Sequence, residues 1–445
     1  LLYFKVERLS KEFAMSTSDS ATAVSNFTVN LPPHPYPELV PGSSFGINTA
    51  FEPGQTDIEE RLRLMREAGI KWGRQDFVWR YVEPSPGSYN WSFCDQMLEM
   101  AQRYGVSLLI NLAYEPNWVN IDSRDAVDAY ARFARAAVER YRDSIKFWQI
   151  WNEPNGGFWN STPGQYARFL VAASKAIHEA DPQAKVVGLN MAFCDIQWAE
   201  RMFRLIPRDS FDILAFHPYR PPNDPEERLD LWMRDHLRSD DPLVHQDFPG
   251  NLEAIRRVME FRGAVKPIWI TEICWTTQIH PYGTNELRQA DLLVRFYVLA
   301  IANRVEKVFW WTLSDEGTRQ FDQADMVGLC RFDLSPKYSY YAYAWMTRLL
   351  EGKRFVGMPV RSRNTYAAVF TDGEQDTVVA WTTRPYSYIR VSFSQQLVFH
   401  DIFGTRRMVP SEQRTKVLSV PLSPSPIYIT APSGIQIQYA PEPGW

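Results

Sequence analysis

Between Ser44 and about residue 350 the chain repeats one pattern eight times: a short apolar run, then an amphipathic stretch. The apolar runs are Phe45–Phe51, Trp72–Trp79, Val106–Ala113, Ile145–Asn152, Lys185–Met191, Phe211–Tyr219, Pro267–Trp275 and Lys307–Ser314. The amphipathic stretches lie at about 57–69, 92–104, 125–142, 163–180, 195–205, 251–262, 286–303 and 338–350. In 125–142, Ala126, Tyr130, Phe133, Ala137, Val138 and Tyr141 recur every three or four residues with charges between them, which is the period of a helix with one buried face. Asp57 suits the N-cap of the first helix and Gly69 its C-terminal stop. Eight strands alternating with eight helices in ~300 residues is the arithmetic of a closed (β/α)8 TIM barrel. An open doubly wound sheet is the rival. It often carries a Gly-rich phosphate loop, and neither GxGxxG nor GxxxxGKS occurs here.

The expected fold is therefore α/β, with a barrel over residues 44–352 and a smaller unit at 353–445. In that second unit Tyr366–Phe370, Thr377–Thr382, Ile389–Phe393, Leu397–Asp401, Lys416–Val420 and Ile427–Ala431 are rich in Val, Thr, Tyr and Ile and are separated by turn residues, as a small antiparallel β-sandwich would be. The sandwich is expected to buttress the barrel, with carbohydrate binding as the alternative role. Residues 1–43 read as a tag and linker, with a strand at Asn26–Val29 that would join the sandwich. Residues 1–14 precede Met15 and look vector-derived, so a native leader would have been removed and a secreted or periplasmic location is expected, with a cytoplasmic one as the alternative. The 220–250 segment is too long for an ordinary connection and is expected to cover the catalytic face.

Composition excludes several classes. Lys and Arg number 48 against 52 Asp and Glu, a net charge of −4 with no basic block, so nucleic acid is not expected as a partner. No apolar run approaches the ~20 residues of a membrane span. Cys94, Cys194, Cys274 and Cys330 lie far apart, with no CxxC pair for a zinc knuckle. The seven histidines show no HxxxH spacing, so no metal is expected. Aromatic residues reach 14%, with 16 Trp, enough for a cleft that stacks on flat, uncharged rings as well as for a core.

In a barrel of this kind the strands' C-terminal ends face the active site. The fourth run ends in Trp151-Asn152-Glu153-Pro154-Asn155 and the seventh in Thr271-Glu272-Ile273-Cys274-Trp275. Each strongly apolar run thus stops on a carboxylate, which costs several kcal/mol if buried unpaired. One such Glu is explained by a structural partner. Two on separate strands, each beside Trp, are what glycosidic cleavage needs: an acid that protonates the leaving oxygen and an ionised carboxylate. Apolar surroundings would raise the pKa of the first, and cationic or hydrogen-bonding neighbours would lower that of the second.

The Trp-Asn-Glu-Pro-Asn run with the second Glu on strand 7 resembles the retaining glycoside hydrolases of clan A. Trp72-Gly73-Arg74-Gln75-Asp76, His217-Pro218-Tyr219 and Phe309-Trp310-Trp311-Thr312-Leu313-Ser314-Asp315 are similar to family 39 within that clan, especially its bacterial exopolysaccharide hydrolases and β-xylosidases. The likeness spans roughly residues 44–350. It implies Glu153 as general acid/base, Glu272 as nucleophile and Asn152 as the donor to the sugar 2-OH. Arg74 would keep Glu272 ionised, and His217 or Tyr219 would donate to it. Trp275 and Trp311 would stack on sugar faces, with Trp79, Trp118 and Trp159 extending the platform, and of the pair Trp310/Trp311 the latter is expected to point inward. Ile273-Cys274 departs from relatives, which often have a polar or aromatic residue there. The resemblance implies an oligo- or polysaccharide substrate and no cofactor. A transglycosylase and a non-catalytic carbohydrate-binding protein on the same scaffold are the alternatives.

Overall fold

The computed structural model describes residues 29–440 apart from 30, 37, 39, 41, 230–245, 363, 395 and 410–416. The expectations for residues 1–14 and for the centre of the 220–250 segment lie outside the described residues, as does most of the proposed Asn26–Val29 strand.

Eight parallel strands close into a barrel in sequence order. They are β1 (Phe45–Asn48), β2 (Trp72–Val78), β3 (Ser107–Ala113), β4 (Phe147–Ile150), β5 (Lys185–Ala192), β6 (Ile213–His217), β7 (Ile268–Ile273) and β8 (Val305–Trp310). Helices α1 (Ile58–Glu67), α2 (Ser92–Arg103), α3 (Arg124–Tyr141), α4 (Pro163–Ala180), α5 (Ile196–Leu205), α6 (Phe248–Arg262), α7 (Glu286–Ala302) and α8 (Tyr338–Leu350) follow the strands in turn. Ser123, Thr162, Asp195, Asp247 and Asn285 cap α3 to α7, each side chain accepting from a backbone N–H of the first turn. Asp57 does precede α1, but its carboxyl takes Gln55 and Arg61 instead of a helix N–H. Gly69 ends α1 in the left-handed region, φ 73°, where a Cβ would also strike His34.

Alternation along the strands explains the barrel interior. Trp72, Leu109, Phe147, Val187, Ile213, Ala215, Trp269 and Phe309 form one apolar cluster. Stepping two residues along β2, β3, β4 and β6 from these positions reaches Arg74, Asn111, Gln149 and His217, all buried. A polar layer thus sits on an apolar plug, towards the strands' C-terminal ends. β1 adds Asn48 to it, and Gly46 lets Phe309 come so close that a Cβ would lie 2.7 Å from its ring.

The C-terminal region forms two antiparallel sheets. Six strands, β9 (Arg354–Arg361), β10 (Thr365–Thr371), β11 (Gln375–Thr382), β13 (Leu397–His400), β14 (Arg406–Val409) and β16 (Ile427–Pro432), pair in the order β14-β13-β16-β11-β10-β9. Three more, β12 (Ser387–Ser392), β15 (Val417–Leu422) and β17 (Gln436–Ala440), pair as β15-β12-β17. In β10, Tyr366, Ala368 and Phe370 belong to the core shared with the barrel, while Ala367 and Val369 belong to the core between the sheets. That two-sided burial is why the strand reads as an unbroken apolar run.

Candidate active site

Most strand runs read from the sequence extend past the ladder, and the residues beyond it build the mouth. After β4 the backbone enters the left-handed region at Trp151 (φ 64°) and again at Glu153 (φ 43°). Such conformations cost about 1–3 kcal/mol each and gather at functional sites. They turn the Trp151 ring outward against Tyr130, Trp159 and Phe169, with its indole N–H on the Phe158 carbonyl. The Glu153 amide donates to the Asn190 carbonyl at 3.0 Å, on an irregular stretch of β5 where Leu189 and Asn190 are also left-handed. On β7, pairing with β8 breaks register between Ile270 and Ile273, the segment that carries Glu272. Such irregularities re-aim side chains.

The geometry brings Glu153 and Glu272 together. Both are 6% exposed, and an oxygen of one lies within 4.8 Å of an oxygen of the other. His217 stands between them: Nδ1 is 2.7 Å from Glu153 Oε1 and 3.5 Å from Glu272 Oε2, and Nε2 is 3.0 Å from the Thr271 hydroxyl. Glu153, His217 and Glu272 have the proximity a metal ion would require. Both ring nitrogens already have side-chain partners, so a metal would have to displace Glu153 or Thr271.

Glu272 accepts from Arg74 Nη1 at 2.8 Å and from the Tyr219 hydroxyl at 2.9 Å. Burial pushes its carboxyl up, but His217, Arg74 and the Tyr219 hydrogen bond outweigh it and hold Glu272 below the usual glutamate range. Arg74 also donates to Asn48 at 2.6 Å, Asn152 at 2.7 Å and Gln149 at 2.9 Å. The guanidinium is therefore a hub, fixing Asn152 through its oxygen while its amide N–H groups remain as donors. The expectation that His217 or Tyr219 donates to Glu272 resolves to Tyr219, with His217 hydrogen-bonded to Glu153.

The tryptophans divide. Trp311 keeps part of its surface open and shares the inward alternation of Lys307 and Phe309, while Trp310 is fully buried and stacks on Trp275. Trp275 is 1% exposed, packed on Phe296 and Trp310, with its N–H on the Asn223 carbonyl. It is a wall behind Glu272 and not the open stacking platform expected. Trp79 and Trp159 are likewise enclosed, in contacts with Phe133 and with Tyr166, so neither extends a platform, whereas Trp118 stays half-buried. The sequence reading passed over Asn48, Asn111 and Gln149 as members of the site. Each, like Arg74, is a buried polar residue at an inward position of an apolar strand. Cys94, Cys194, Cys274 and Cys330 are buried, and none of them is in a disulfide.

Comparison with known proteins agrees with this architecture. A family 39 glycoside hydrolase from the gut symbiont Bacteroides cellulosilyticus WH2 superimposes with a TM-score of 0.74 at 22% identity, over 87% of this chain and 80% of that one. A monomeric beta-xylosidase from Caulobacter crescentus CB15 gives 0.60 at 16% identity, over 88% and 96%. The fold is that of the family 39 glycoside hydrolases. A glycoside hydrolase family 42 model described as beta-galactosidase matches residues 51–127. A 6-phospho-beta-glucosidase of Clostridium longisporum is 27% identical over 160 residues, 29% of this chain and 34% of that protein. The aryl-phospho-beta-D-glucosidase BglA of Bacillus subtilis (strain 168) is 26% identical over 109 residues, 22% and 23%. The matched region thus spans about a third and about a quarter of these two curated relatives. Among the described residues no helix is long and apolar enough to cross a membrane.

Proposed function

We propose that the chain is a retaining glycoside hydrolase that cleaves O-glycosidic bonds of an oligo- or polysaccharide. The observation that carries this reading is the spacing of Glu153 and Glu272, with oxygens within 4.8 Å of each other. Retaining enzymes hold their carboxyl groups ~5–5.5 Å apart, and inverting enzymes leave ~6.5–9.5 Å for a water. His217, fully buried, contacts both carboxyls, at 2.7 Å and 3.5 Å, and so supports their close approach.

Glu272, held ionised by Arg74 and Tyr219, attacks the anomeric carbon. Its carbon–oxygen bond forms as the bond to the leaving oxygen breaks, and Glu153 gives that oxygen its proton. In the second step water attacks the anomeric carbon, Glu153 takes the water's proton, and the bond to Glu272 breaks. Asn152 donates to the sugar 2-OH, a contact that strengthens as positive charge develops on the ring. Trp311 supplies a stacking face.

Glu272→Gln tests this. It is expected to stay folded and to lose turnover of aryl glycosides by at least ~10³-fold. Appreciable turnover by that variant would remove Glu272 from the nucleophile's role. Product analysis with sugar acceptors present separates hydrolysis from transglycosylation, which shares the first step.

A further inference from the structure

One carboxylate in the mouth has no part in the two-step chemistry. Trp72, Arg74 and Asp76 share a face of β2, and Asp76 stands one pleat beyond Arg74 towards the opening. Its Oδ1 accepts from Asn111 Nδ2 at 2.8 Å. The Asn111 oxygen accepts from Gln149 at 3.2 Å, and the Gln149 oxygen from Arg74 at 2.9 Å. Asp76 is thus held from below by the same network that holds Glu272. Among the described residues no protein donor reaches Asp76 Oδ2, and Asp76 is half-buried.

A carboxylate fixed at one oxygen and unpaired at the other is a costly arrangement in a cleft. Burial pushes Asp76 above the ordinary aspartate range, partly offset by Arg74 and the Asn111 hydrogen bond, and the charge of Glu272 adds to the rise. Burial pushes the Tyr114 hydroxyl well above the ordinary tyrosine range, and the charges of Asp76, Glu272 and Glu153 add to the rise. Glu316 follows β8 and is pushed up to about 7 by burial and, among its charged neighbours, Glu272. Of the cations nearby, Arg74 is engaged by four side chains, and Arg80 is exposed, 5.8 Å from the Tyr114 ring centroid.

We propose that Asp76 is a substrate-binding residue of the subsite that holds the glycon. Its free oxygen accepts from a sugar hydroxyl, and its charge excludes glycons that carry a phosphate or a carboxylate. A hydroxyl supplies the donor that Oδ2 lacks, whereas an anionic substituent meets an acceptor-only group in a low-dielectric cleft. The proposal rests on the glycosidase reading of the same site and assigns it a neutral glycon.

Binding separates the two. Glu272→Gln is titrated calorimetrically with aryl β-glucoside, β-galactoside and β-xyloside, and with the 6-phospho-glucoside and the glucuronide. At least one neutral ligand is expected to bind, with the anionic counterparts at least ~30-fold weaker. Adding Asp76→Asn is expected to weaken the neutral ligand by about tenfold or more and to bring the anionic ones within about threefold of it. An Asp76→Asn effect below twofold on the neutral ligand, or an anionic ligand that binds as tightly as the neutral one with Asp76 in place, would overturn the assignment. So would failure of every neutral ligand to bind. The discrimination measured with Asp76 intact needs no variant at this position, so the proposal stays testable should Asp76→Asn misfold. Wild-type turnover is measured separately: tight neutral binding without cleavage would sink the hydrolase reading and leave Asp76 standing.

Discussion

At the scale of single residues, the proposed acid/base and nucleophile differ in what holds them. Glu272 has a cation and a phenol hydroxyl on its carboxyl, while Glu153 has His217. The acid/base role predicts that Glu153→Ala loses activity on poor leaving groups and recovers part of it with azide or with activated aryl glycosides. Rescue assays check this, and complete indifference to azide on an activated substrate counts against the role. Tyr219→Phe probes the other carboxyl. The Tyr219 hydroxyl favours ionised Glu272, so its loss raises the Glu272 pKa and moves the acid limb of kcat/KM upward. A hydrogen bond to a charged group contributes ~1.5–3 kcal/mol, enough for a tenfold loss in kcat/KM near neutral pH. The sign also applies to stability. A depressed folded-state pKa gives stabilisation that is present above the ordinary value of 4.5 and is lost as pH falls through the folded pKa. An acid limb identical in wild type and Tyr219→Phe contradicts the hydrogen bond's role.

At the scale of elements, the active site depends on the departures of β4, β5 and β7 from regular strand. Asn190 is fully buried, left-handed at φ 43°, and donates to the Ile150 carbonyl at 2.9 Å while its own carbonyl takes the Glu153 amide. Asn tolerates this backbone better than Ala does. Asn190→Ala is expected to lower stability by about 1–3 kcal/mol, because the Ile150 carbonyl loses a donor and the backbone strain rises. Chemical denaturation measures it, and an unchanged midpoint would show that the irregular stretch does not rely on this side chain. The same departures mark the limit of what the sequence makes legible. The order of strands and helices and the two carboxylates follow from periodicity, because a barrel buries its strands and its mouth lies at their ends. Register shifts leave no periodic trace, so the turn that carries Trp151 outward and Glu153 inward is not readable from hydrophobicity. Trp275 illustrates the same gap. A Trp beside a catalytic Glu reads as a platform, and only the packing of Phe296 and Trp310 around it shows that it is enclosed. In the sandwich, β14 and β17 escape the reading because their short, mixed sequences lack an apolar run, and β9 because Gly357 and Pro359 interrupt its apolar residues.

At the scale of the whole molecule, the sandwich and the barrel share one core and one buried ionic cluster. Trp381 on β11 is fully buried, stacks on Tyr366 at 5.1 Å, and donates from its indole to Glu226 at 2.7 Å. Glu226 also accepts from Arg295 of α7 at 2.9 Å, and Arg295 reaches Asp224 at 2.7 Å. Asp224 follows Asn223, whose carbonyl holds the Trp275 indole beside Glu272. Contact therefore runs from the sandwich through the segment after β6 to the wall of the active site. Removing residues after Gly352 would uncover the barrel-facing side chains Tyr366, Phe370 and Trp381 cover, and leave Glu226 without its indole donor. A protein ending at residue 352 is expected to be insoluble or inactive. Trp381→Phe is the finer test. It keeps most of the ring volume and deletes one donor to a buried carboxylate that Arg295 still neutralises, so the fold should persist with a stability loss of about 1–3 kcal/mol. If the cluster fixes the wall behind Glu272, kcat on aryl glycosides falls at least about threefold while KM changes little, since the damage is to alignment in the transition state. Wild-type kcat in Trp381→Phe, together with a soluble and active protein ending at residue 352, would reduce the sandwich to a dispensable appendage.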